Sequence, residues 1–140
     1  MECDPNLADT AEFCANYGFA AEQTCNAIIA AGKSTPVKYA CCVILATCKL
    51  DVNKAVCKQL EIKKCSFASA EQTKELTGME IGGVTPVGVS GIPILVDTRV
   101  MNNERVVLGG GNRSSKLLMN PVELLKLPNL HVVQDLAVPR

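Results

Sequence analysis

The spacing of apolar positions changes character along the chain. From Asp9, residues Ala11, Cys14, Ala15 and Phe19 form a stripe at helical spacing. Asp9 and Glu12 have the separation of a capping box, and Gly18 supplies a stop. "TCNAIIAA", residues 24–31, is apolar without a clear period and fits a helix or a strand. "VKYACCVILAT" is too continuous for a half-exposed strand and predicts a buried central one. "DVNKAVCKQL" predicts a helix capped by Asp51, with Val52, Val56 and Leu60 at i, i+4 and i+8. A short strand, "KKCSFA", follows. "SAEQTKELTG" then has Ser69 as N-cap, Gln72 three residues on, and Gly78 as terminator.

Beyond Gly78 the pattern is β. "IPILVD" and "RVVLGG" read as strands around a turn, "MNNE", and "KLLM" as a short strand. "NPVELLKL" starts a helix, with Asn120 as N-cap and Pro121 at N1. "NLHVVQDL" closes with a strand. Hairpins outnumber crossovers here, which predicts one α+β domain over residues 1–140 with a mixed, largely antiparallel sheet.

Composition narrows the chemistry. Fourteen basic residues balance fourteen acidic ones, so bulk charge does not favour wrapping nucleic acid. Eight cysteines lie in the first half, none in C-x-x-C spacing, and His131 is the single histidine. Several sit inside apolar runs, where cysteine behaves as a small hydrophobe. Buried free thiols are the leading reading, with disulfides and a metal as alternatives. No segment approaches the roughly 20 apolar residues of a membrane span, so a cytoplasmic location is expected.

Two glycine-rich stretches remain, Gly82–Gly88 and Gly109–Asn112. Glycine permits positive φ and lets a ligand approach bare backbone, and Pro86 stiffens the first loop. Tight turns and a ligand cradle both fit. Neither stretch is a phosphate-binding fingerprint. Asp97 ends a strand, as a turn-capping carboxylate or as a group that orients substrate. Arg113 is an exposed loop cation or a partner for phosphate or carboxylate. No Ser–His–acid arrangement is visible.

These residues carry a resemblance. "ELTGMEIGGVTPVGVSGIPILVD" is similar to the signature of the YbaK/prolyl-tRNA synthetase-associated editing domain, and "RVVLGGGNRSSKLLMNPVELLKL" resembles that family's second glycine loop and final helix. "DTAEFCANYGFAAEQ" and "LDVNKAVCKQL" resemble its first and middle helices. The resemblance implies a curved mixed sheet flanked by helices and a trans-acting hydrolase of mischarged aminoacyl-tRNA. The expected substrate is a small residue such as Ala or Cys on proline tRNA, with prolyl-tRNA synthetase as a further partner. It implies no cofactor, no metal, and a monomer or homodimer.

By the same resemblance, Gly82, Gly83, Val84, Thr85 and Pro86 hold the aminoacyl group. Asp97, Gly109, Gly110, Gly111, Asn112 and Arg113 form the pocket wall. The chain departs from the family at Asn26, which stands where members carry a lysine expected to contact the tRNA end or the substrate. Asn26 keeps hydrogen bonding but loses the charge, which leaves a non-catalytic module binding the aminoacyl end or a synthetase as the alternative to a deacylase.

Overall fold

The computed structural model describes residues 21–34, 36–79, 84–89, 91–110 and 116–139. The helix expected from Asp9 lies outside them. The ambiguous segment resolves as strand β1, Cys25–Gly32, antiparallel to β2, Lys38–Leu45. All eight β1 residues find partners on β2, from Cys25 opposite Leu45 to Gly32 opposite Lys38. A run of small and β-branched residues is suited to a strand that packs on both sides.

Strand β2 stands in the middle of a five-stranded sheet, order β4-β1-β2-β5-β8. From Ala40 to Leu45 every β2 residue is buried, as its continuous apolar run predicts. Strand β4, Cys65–Phe67, is antiparallel to β1. Strands β5, Ile94–Asp97, and β8, Leu130–Val133, are added in parallel. Two antiparallel pairs complete the set. Strand β3, Cys48–Leu50, pairs with β9, Ala137–Pro139, and β6, Val106–Gly109, pairs with β7, Lys116–Met119. The architecture is α+β with a mixed sheet, and antiparallel pairings are the majority.

The helices obey their caps. The Asp51 side chain accepts from the Lys54 amide at 3.1 Å, and the chain enters a π-helical turn, Val52–Val56, then α1, Cys57–Leu60. Val52, Val56 and Leu60 are all buried, as the stripe predicts. Helix α2, Ala70–Thr77, carries the complete reciprocal box between Ser69 and Gln72, and ends at Gly78 with φ +74°. Residues Pro121–Lys126 are helical as expected, but in 3-10 geometry, with the Asn120 side chain accepting from Val122. The sequence missed a one-turn helix, α3, Thr98–Met101, just before the "MNNE" turn.

The six described cysteines, Cys25, Cys41, Cys42, Cys48, Cys57 and Cys65, are all buried free thiols. Among the described residues no His, Cys, Asp or Glu cluster could hold a metal. Burial pushes Cys25 and Cys41 up to about 12, and Cys42 in the same direction. The unfolded chain releases these protons from about 9 upward while the folded chain keeps them. The thiols' contribution to stability is therefore constant below pH 8 and is lost as pH rises from about 9 towards 12. Urea midpoints across that range check the direction. Iodoacetamide at pH 8 is expected to spare Cys25, Cys41 and Cys42 in the native chain and label them in urea.

Candidate active site

The two halves of the chain meet along the outer edge of β1. At its far end β4 closes that edge, with Ala30 opposite Phe67 and Gly32 opposite Cys65. The Ala68 amide extends the contact by donating to the Ile29 carbonyl at 2.8 Å. At the near end Thr24 forms a parallel bridge to Val107 of β6. The bridge is isolated and does not extend into a ladder.

Between these closures lies a pocket of about 130 Å³, lined by Ala27, Ile28 and Ile29 from β1, Phe67 and Ala68 from β4, Thr73 from α2, and Val84. It is much smaller than two open clefts among the described residues, each above 500 Å³. Its walls are apolar apart from Thr73 and main-chain groups. Thr73 is buried because the Ser69 cap fixes where α2 begins and so which residue of its first turns meets the sheet.

Val84 is the one described residue of the expected Gly82–Pro86 cradle that lines this pocket. Thr85 and Pro86 follow it, both buried. The Pro86 carbonyl accepts from the Val89 amide at 3.2 Å, and Gly88 sits at φ +89° inside that turn. This is type II geometry, which requires glycine at its third position. The loop after the cradle is therefore stiff, and Gly88 serves the turn. Gly82, Gly83, Gly111, Asn112 and Arg113 lie outside the described residues.

Asp97 is placed differently from its expected role in the pocket wall. Its side chain is fully buried and committed to the fold. One oxygen accepts from the Arg99 amide at 3.2 Å and the Thr98 hydroxyl at 3.4 Å, capping α3. The other accepts from the Ala137 amide at 3.1 Å and Arg99 Nη1 at 3.5 Å, tying β9 to the sheet. The turn-capping reading describes this carboxylate. It does not line the 130 Å³ pocket.

Other cations and bases are distributed as follows. Lys33 lies just past the far end of β1, seven residues from Asn26, or roughly 23 Å along an extended strand. Lys116, buried, stands opposite Gly109 on β7 and so at the glycine end of the site. His131 is exposed on β8, three strands from β1. Sequence reasoning passed over Ala27, Ala68, Thr73 and Lys116. The usable signal was the Ser69 capping box, which orients α2 and with it Thr73.

The described residues thus form a small, largely apolar pocket bordered by β1, β4, α2 and Val84. The chain belongs to the aminoacyl-tRNA editing domain family, which it matches over residues 4–127. It is similar to the crystal structure of the hypothetical protein APE2540, at 26% identity and TM-score 0.82, over 93% of this chain and 84% of that one. It also shares its fold with a candidate trans-editing enzyme for prolyl-tRNA synthetase, at 23% identity and TM-score 0.83, over 100% of this chain and 85% of that one. A scaffold used for epitope backbone grafting has the same fold, at 20% identity and TM-score 0.82, over 100% and 85% of the two chains. Among the described residues no helix is long and apolar enough to cross a membrane.

Proposed function

We propose that this chain is a trans-acting deacylase that removes a small amino acid, alanine or cysteine, from mischarged proline tRNA. The observation that carries the reading is the 130 Å³ pocket at the β1 edge, bounded by Val84. In the reaction a water oxygen adds to the ester carbonyl carbon. The bond from that carbon to the terminal ribose oxygen breaks, the ribose oxygen takes a proton, and free amino acid leaves. An aminoacyl ester is already activated. Holding its carbonyl against fixed donors supplies the main acceleration without a side-chain nucleophile. In this reading Gly82–Pro86 and Gly109–Arg113 enclose the aminoacyl end, and the pocket's size rejects larger residues as a second sieve does. The chain acts as one domain in the cytoplasm, as a monomer or homodimer, on its own or beside prolyl-tRNA synthetase.

Deacylation of Ala-, Cys- and Ser-charged proline tRNA tests the reading. Asn26 supports a second one, a module that binds the aminoacyl end without turnover, because it lacks the charge of the family lysine. Asn26→Lys separates them. A lysine at position 26 adds one charge-assisted contact to the substrate, worth about 1.4 kcal/mol, and is expected to raise kcat/KM about tenfold. An unchanged, absent rate in both forms with retained binding would favour the module.

A further inference from the structure

The open edge of β1 has a polarity that follows from its neighbours. The Ile29 carbonyl faces outward, since it accepts from Ala68, and Lys33 likewise bonds outward to Lys64. The Thr24 carbonyl faces the other way, accepting from Ala46 beyond β2. Main-chain groups alternate along a strand, so the amide and carbonyl of Ala27 both face outward. Opposite Val43, Ala27 forms a pair that exchanges no hydrogen bonds. Strand β4 reaches Ala27 from neither side of its register, and the β6 bridge stops at Thr24. The Ala27 amide and carbonyl thus face the gap between these two contacts, and Ala27 lines the pocket.

We infer that Ala27 reads the substrate through its backbone, pairing with the aminoacyl residue as a one-residue strand. This rests on the proposed function and names the groups that position its substrate. The substrate α-amine donates to the Ala27 carbonyl, and the Ala27 amide donates to the ester carbonyl. That is the reciprocal pair of an antiparallel ladder, made once. Residues directly opposite in a ladder put their side chains on one face. The substrate side chain then falls on the face of Ala27 and Ile29, where Ala68, Thr73 and Val84 enclose the pocket. A long extended peptide does not fit this opening, because β4 and β6 contact the edge on both sides of Ala27 and leave a gap only a few residues long. The Ala27 amide sits where negative charge develops on the carbonyl oxygen, which makes Ala27 a positioning residue for hydrolysis as well as for binding.

The test uses the alanyl amide of 3′-amino-3′-deoxyadenosine, a stand-in that cannot be hydrolysed, and two variants. Ala27→Pro removes the outward donor on a face of the strand that β2 does not use, a setting in which proline is tolerated. Replacing the residue-27 amide by a backbone ester removes the same donor with no change of side chain and guards against misfolding of the proline form. The Ala27 amide proton of the unmodified chain is expected to shift downfield on binding. Both variants are expected to bind at least tenfold more weakly, as is the N-acetylated stand-in to the unmodified chain. An unmoved Ala27 resonance, or affinities within twofold across the backbone-ester form and the acetylated ligand, would overturn the inference. Deacylation by the unmodified chain is read separately. Its absence would refute the proposed function and leave the binding result standing, whereas turnover retained by the ester variant within twofold would remove Ala27 from the reaction.

Discussion

Asp97→Ala is expected to cost about 3 kcal/mol of folding stability, the range for breaking a buried, hydrogen-bonded ion pair. The reason is what the change strands. Arg99 loses its buried partner and keeps Asp135, a surface contact at 3.3 Å, and the Ala137 carbonyl at 2.8 Å. The amides of Arg99 and Ala137 lose their acceptor. Strand β9 is three residues long and depends on that contact and on its pairing with β3. For a chain of this size the loss corresponds to a fall in Tm of about 10 °C. Asp97→Asn keeps the cap and is expected to lose less than half as much. Urea unfolding of both variants is the check. A loss below 1 kcal/mol for the alanine form would show that the carboxylate is not the tie described here.

Thr73→Leu is expected to lower kcat/KM for deacylation about 100-fold while leaving the fold intact. Thr73 borders the pocket and is itself buried, so the added methyl groups extend into empty space and not into packed core. A substrate displaced by about 1 Å from its attacking water loses roughly that factor. Thr73→Ser leaves the space open and is expected to stay within threefold of the parent chain. Single-turnover deacylation and a melting curve for each variant separate blocking from misfolding. A leucine form with parental rates would move the substrate out of this pocket.

Much of this fold was legible wherever a local rule was strong. The Ser69–Gln72 box, the Asp51 cap, the Asn120–Pro121 start and the doubly buried β2 run each have a side-chain signature, and each forms as expected. "CNAIIAAG" was ambiguous because small apolar residues suit either element. Its pairing with β2, a long-range contact, decided for the strand. Strands β3 and β9 are too short to show alternation, and α3 is a single turn. Of the stretch that glycine and proline mark, Val84 lines the pocket. The site was illegible at Ala27, because what matters there is a backbone edge left open between β4 and β6, which no side chain records. Asp97 shows the converse, a conspicuous acid at a strand end whose hydrogen bonds all serve the fold.

Turnover at the β1-edge pocket is read by deacylation of proline tRNA charged with alanine, cysteine, serine or proline. Alanine or cysteine is expected to be released well above the spontaneous rate, with prolyl-tRNA spared. Hydrolysis of none of the four above background, by a folded chain that binds tRNA at low salt, would contradict the proposed function.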